Sequence, residues 1–327
     1  MTIRTYQSPA GFKQALEERL RNSSRNGVDF ARRRQLLVFD RFLARVAATL
    51  GDAVTLKGGL VLELRLERAR TTKDVDLRMV GPPDRILERL QEAARRDLGD
   101  FLTFEIGLDE DHPDIQSDGM QYDGLRFRAV SRLAGKLYGQ PFGVDVAFGD
   151  PILGEPETVI AEDLLAFAGI APPSLRLYPI ETHIAEKLHA YSMPRVRPNS
   201  RVKDLPDIAL LATVRPLEAK RLRRALEQTF SFRKTHSLPD RLPDPSQARA
   251  HVAPHWEVAW ARAVRAAVRQ ARGSTWTARA PGCGQCCASA SLVSSAGSSR
   301  DHLPTIEESA ASKFTLAHRL EANCESL

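Results

Sequence analysis

KGGLVLELRLERARTTKDVDL, residues 57–77 of a 327-residue chain, reads as strand end, glycine turn, short helix, loop and acid-bearing strand. Asp74 and Asp76 stand two residues apart, and in a strand residues i and i+2 point to the same face. Their carboxylates therefore lie side by side, with Val75 and Leu77 directed the other way into a core. Adjacent carboxylates repel unless a cation or a proton sits between them. A hard divalent ion such as Mg²⁺ suits the pair, because it takes oxygen ligands and keeps waters and phosphate oxygens in its other positions. Gly58 and Gly59 follow the apolar run 53–56 and precede a helix-like run, Leu60 to Leu66. A glycine turn at a helix N-terminus aims backbone N–H groups at an anion, typically phosphate. A phosphate cradle and a metal platform this close together point to nucleotide chemistry.

Working outward, composition sets the class. The chain is 43% hydrophobic and 27% charged, as expected of one or two globular domains with a real core. Its formal net charge of +6 favours an anionic partner such as nucleic acid. The opening MTIRTYQSPAGFKQ has no apolar signal region, and no run reaches the roughly 18 apolar residues of a membrane span. Cytoplasm is the expected location. The four cysteines, Cys283, Cys286, Cys287 and Cys324, include one C-x-x-C but no second pair, which argues against a zinc site.

Upstream, residues 9–50 read as two helices, the second closed by Gly51 and carrying Leu36, Phe39, Leu43 and Val46 at helical spacing. Arg32, Arg33 and Arg34 form a basic knot that reads as a solvated cluster. Downstream, PPDRILERLQEAARRDLG is an amphipathic helix with Pro82 or Pro83 at its start. Residues 101–108 alternate as a strand, 109–119 read as an acidic loop, and 122–133 and 143–148 are further strands. In the last of these Val144, Val146 and Phe148 face inward while Asp145 faces out. If that strand neighbours the one bearing Asp74 and Asp76, three carboxylates converge where only a cation makes them tolerable.

Past Gly149 the pattern predicts helices. ETVIAEDLLAFAGI is one candidate. PIETHIAEKLHAYS is another, with Ile180, Ile184, Leu188 and Tyr191 on one face and Lys187 among them. An inward lysine is either paired, directed into a cleft or snorkelling to water. In RVKDLPDIALLATV, Pro206 predicts a helix starting near Lys203 to Leu205. Asp204 and Asp207 then fall in its first turn, and with Arg201 and Lys203 they read as a site wall. Residues 216–230 form a basic helix. A last helix, about 255–272, aligns Arg262, Arg265, Arg269 and Arg272 on one side, as either a solvated face or a track for phosphates. From about 276 serine, alanine, glycine and cysteine dominate, as in a poorly ordered tail.

LKGG (56–59), the R-x-T-x-D-x-D segment from Arg70 to Asp76, AEKLHA (185–190) and RVKDLPDI (201–208) together resemble the AbiEii/AbiGii-type nucleotidyltransferase toxins, which include MenT-type toxins. These are a branch of the DNA polymerase beta-like nucleotidyltransferase superfamily. Where the family shows a Ser or Thr after the glycines, this chain has Leu60.

The resemblance implies an α+β fold: a nucleotidyltransferase domain over 1–150, with a mixed sheet flanked by helices. A mostly helical domain over 151–275 would complete the active site; the low-complexity tail over 276–327, read from composition, matches nothing in the family. The resemblance implies Asp74 and Asp76 as metal ligands, to which the strand reading adds Asp145 as a candidate ligand. Lys187 would contact the triphosphate or the leaving pyrophosphate, and Asp207 or its neighbour Asp204 would complete the site. Lys57, Gly58, Gly59, Arg70, Thr72, Lys203 and Asp204 would line the nucleotide site. The implied reaction transfers a nucleotide from an NTP, with Mg²⁺, to the 3′ end of tRNA or another RNA. A separately encoded antitoxin is the expected partner. Nucleotide binding without transfer, or transfer to a protein, are the alternatives.

Overall fold

A computed structural model of the chain describes residues 5–66, 72–81, 85–110, 114–117, 120–195 and 200–239. Arg70, Pro82 and Pro83, the arginine stripe of 262–272 and the cysteine-bearing segment lie outside those residues.

The two N-terminal helices form as expected: α1 (Pro9–Ser23) and α2 (Gly27–Leu50). Each begins where a side chain satisfies a free N–H, Ser8 Oγ accepting from Gly11 and Asn26 Oδ1 from Asp29. Gly51, at φ 51°, ends α2 in a conformation that glycine adopts without strain. The basic knot dissolves into local pairs: Arg33 with Asp29, and Arg34 with Glu17.

After α2 come β1 (Val54–Lys57), α3 (Gly58–Arg65), β2 (Asp74–Met79) and α4 (Ile86–Arg95). Then follow β3 (Leu102–Leu108), β4 (Asp114–Ser117), β5 (Met120–Leu133), β6 (Lys136–Leu137) and β7 (Phe142–Phe148). The chain continues as β8 (Glu157–Ile160), β9 (Ser174–Leu177), α5 (Ile180–Ser192), α6 (Asp204–Val214) and α7 (Ala219–Arg233). The described strands make one nine-stranded sheet, ordered β3-β5-β7-β2-β1-β9-β8, with β4 and β6 beside β5. β2 and β7 are parallel, as are β1 and β9, while the other pairs are antiparallel. The sheet is therefore mixed, as expected.

One face of this sheet closes the main core. Val75, Leu77 and Met79 of β2 and Val144 and Val146 of β7 are buried with α1, α2 and α4. Phe142 sits 5.0 Å from Phe39 and 5.4 Å from Phe42 of α2, ring to ring and edge-on. Asp100 ties α2 to the start of β3, at 2.7 Å from both Arg41 and Arg45. All three groups are buried. Burial pushes Asp100 up, but hydrogen bonds and charge from Arg45 and Arg41 outweigh it and hold the carboxyl below its ordinary value. A second cluster, α5, α6 and α7 with Leu62 of α3, packs on its own apolar faces.

Two expectations fail. The segment ETVIAEDLLAFAGI is not a helix. Glu157–Ile160 pairs with β9, and only a 3-10 turn, Ala166–Ala168, follows. Its β-branched Thr158, Val159 and Ile160 suit a strand, and β9 offers them an unpaired edge. The helices expected past Gly149 start only at Ile180. The loop expected at 109–119 contains β4, which pairs along β5. A long neighbouring strand supplies hydrogen-bond partners that acidic composition does not reveal.

Candidate active site

The opposite face of the sheet carries the acids. β1 and β2 pair with Lys57 beside Asp76, and β2 and β7 pair with Asp76 beside Asp145 and Asp74 beside Gly143. Both flanking glycines make room for carboxylates. A Cβ on Gly58, which has φ +69°, would fall 1.9 Å from Asp76 Oδ2, and one on Gly143 would fall 2.7 Å from Asp74 Oδ1. Gly58 opens α3, so first-turn N–H groups without intrahelical acceptors lie next to Asp76. Leu60 packs into the core. Thr72 lines the cleft, its hydroxyl donating to the Asp74 carbonyl at 3.2 Å and its N–H to Glu63 at 2.7 Å.

Burial, then the Asp145 charge, pushes Asp76 up to about 6 against the pull of Lys57; Asp74 adds to the rise and Lys187 opposes it. Asp74 is also raised, by burial and by Asp145. Asp145 is answered by Arg126, whose Nε and guanidinium nitrogen each donate to one of its oxygens at 2.7 Å.

The facing wall comes from α5 and α6. Lys187 is buried, and its Nζ donates to Asp204 at 3.1 Å and to Asp207 at 2.7 Å. The paired and cleft-lining readings of this lysine hold together, and snorkelling does not occur. Lys57 donates to Asp150 at 2.9 Å and reaches Glu186 at 3.2 Å. Burial raises Glu186, but Lys57, Arg233 and the Tyr178 hydroxyl bring it down to about 2.

One cleft of about 320 Å³ gathers most of the expected residues. Lys57, Gly58, Gly59, Thr72, Asp74, Asp76, Asp145, Lys187, Lys203 and Asp204 all line it, with Arg201. Asp207 does not reach the cleft and acts behind the wall, on Lys187. Sequence reasoning missed Arg126, His183 and Glu186, which also line it, and Asp150 and Arg233 behind them. His183 carried a usable signal, since it precedes Lys187 by four residues and shares its face of α5.

Asp74 and Asp76 fit a hard divalent cation: they offer only oxygen donors, and their raised carboxyls mark a place where positive charge is favoured. Among the described residues no three acidic, histidine or cysteine side chains close on one point by themselves. Waters and phosphate oxygens would complete the shell, and Asp145, held by Arg126, keeps a second lone pair on each oxygen with which it could join.

No curated protein matches the sequence. Among solved structures, MenT4, the nucleotidyltransferase toxin Rv2826c from Mycobacterium tuberculosis H37Rv, superposes at TM-score 0.52 with 15% identity. That alignment covers 82% of this chain and 90% of that one, and it shows a shared fold. JHP933 from Helicobacter pylori aligns at TM-score 0.40 and 18% identity over 72% of this chain and 94% of its own. A putative nucleotidyltransferase from H. pylori aligns at 0.39 and 15% over 73% and 95%. Among the described residues no helix is long and apolar enough to cross a membrane. The profile of the family described as nucleotidyl transferase AbiEii toxin, type IV TA system, matches residues 41–279, and the chain belongs to that family of toxin–antitoxin nucleotidyltransferases.

Proposed function

We propose that this toxin transfers a nucleoside monophosphate from an NTP to the 3′ end of tRNA and releases pyrophosphate. The observation that carries the reading is one cleft with Asp74 and Asp76 on one wall, Lys187 on another and the Gly58–Gly59 turn between. The acceptor hydroxyl oxygen attacks the α-phosphorus. A new P–O bond forms there, the bond to the bridging oxygen breaks, and its electrons leave with pyrophosphate. The hydroxyl proton passes to a carboxylate oxygen of Asp74 or Asp145. Lys187, held by Asp204 and Asp207, offsets charge on the departing group. Held by Asp74 and Asp76, Mg²⁺ supplies Lewis-acid stabilisation of the phosphate oxygens.

The helical segment from Ile180 onward completes the site, with Lys187, Lys203 and Asp204 on its wall. Exposed Lys220, Arg223 and Arg224 on α7 offer phosphate contacts to the acceptor RNA. A cognate antitoxin in the same cytoplasm is the expected partner. Incubation with each labelled NTP, Mg²⁺ and total tRNA tests the reading. Label on RNA that disappears with Asp76→Ala supports it, and no label with any of the four nucleotides defeats it. Label on protein in a parallel incubation would move the acceptor from RNA to protein.

A further inference from the structure

His183 is 3% exposed, lies on α5 one turn before Lys187, and lines the cleft. Among the described residues neither of its ring nitrogens has a hydrogen-bond partner. Buried polar groups are almost always satisfied, so two open nitrogens on one ring in a site wall call for a ligand. Its charged neighbours on α5 are already engaged. Lys187 is held by Asp204 and Asp207, and Glu186 by Tyr178, Lys57 and Arg233.

The surroundings also set the ligand's chemistry. Burial first, and then the Lys187 charge, push His183 well below the usual histidine value, so the ring is neutral and presents one N–H donor and one acceptor. Lys57, Lys187 and the Gly58–Gly59 turn that opens α3 line the same cleft as His183. An acceptor-rich anion is what such a wall takes, and a neutral N–H adds a directional bond without adding charge. Resting on the nucleotidyltransferase reading above, we propose that His183 binds the pyrophosphate portion of the nucleotide. Its ring N–H donates to a non-bridging phosphate oxygen beside Lys187. The same bond holds released pyrophosphate.

Magnesium pyrophosphate is the probe, because it is common to all four NTPs. Calorimetric titration of the full-length chain is compared with His183→Leu and His183→Gln. The leucine variant should bind pyrophosphate about tenfold more weakly, the effect of losing one hydrogen bond to a charged group. Its ligand-free Tm should equal or exceed that of the parent, because an unpaired polar ring has become hydrocarbon. His183→Gln keeps an N–H donor and should bind within about threefold of the parent. Should the leucine variant fail to fold, His183→Ala takes its place in the same comparison. Undiminished pyrophosphate affinity in the folded apolar variant would make His183 a core residue and overturn the proposal. So would a glutamine variant as weak as leucine. A parent chain that binds neither pyrophosphate nor any NTP removes the nucleotide reading itself. A parent that transfers nucleotide while the apolar variant binds equally well removes only the role of His183.

Discussion

Asp145 of β7 stands directly beside Asp76 of β2 in parallel register, yet both of its carboxylate oxygens are taken by Arg126 of β5. The third acid of the cleft thus has its countercharge built in, while among the described residues no salt bridge answers the pair on β2. Arg126 also lowers the repulsion felt by Asp74. Replacing it with glutamine frees Asp145 and leaves three acids facing one another. Arg126→Gln should therefore show a larger rise in Tm on adding Mg²⁺ than the parent chain does. Thermal unfolding with Mg²⁺ and with EDTA measures this, and equal shifts in the two proteins would mean that Asp145 plays no part in cation binding.

Lys187 is buried between two acids, so its removal has two separable effects. Lys187→Met removes the cation shared by the buried Asp204 and Asp207, leaving Arg201 beside Asp204, and should destabilise by about 3–5 kcal/mol. Adding Asp207→Asn should recover part of that stability but none of the transferase activity. Denaturant unfolding and the labelled-NTP assay, run on the same two proteins, separate structure from chemistry.

Gly58 carries a steric demand that no other residue meets. At φ +69°, with Asp76 Oδ2 1.9 Å from any added Cβ, Gly58→Ala must move either the turn or the carboxylate. The left-handed conformation alone costs about 1–2 kcal/mol for a residue with a side chain. A drop in stability of at least that size, together with lost transfer, is expected. An active, unshifted alanine variant would show that the turn relaxes freely.

Asp100 predicts the acid response of the fold. Its carboxyl lies lower in the folded chain than in the unfolded one, because Arg45 and Arg41 outweigh the penalty of burial. The folded state then binds its proton more weakly. The associated stability is present in full above the unfolded value of about 3.9 and is lost as pH falls below it, through the folded value. Asp100→Asn should lose about 3–5 kcal/mol at neutral pH, since two buried guanidinium groups lose their charge partner. The variant should also flatten the stability profile between pH 4 and 2, roughly the span over which such an acid titrates. Urea unfolding across that range tests both statements.

Much of this site was legible from local pattern. Strand alternation put Asp74 and Asp76 on one face and Val75 and Leu77 on the other, and that is how β2 lies. Helical spacing placed Lys187 on the buried stripe of α5, and Pro206 set the start of α6 within a residue or two. These readings succeeded because each depends on the period of a single element. Arg126, Asp150 and Asp100 escaped because each matters only through a partner on a distant strand or helix. The helix expected over 157–170 failed for a related reason: a short β-branched run takes the strand state when a neighbouring edge is open.

The sequence alone determined which residues could hold a cation and a phosphate, since residue type and spacing settle donor chemistry and facing. Tertiary structure alone decided that Asp145 pairs with Arg126, that Asp207 works behind Lys187 and that His183 lines the cleft with no hydrogen-bond partner among the described residues. Those outcomes turn on strand order and helix packing, where contacts between residues far apart in the chain outweigh local preference.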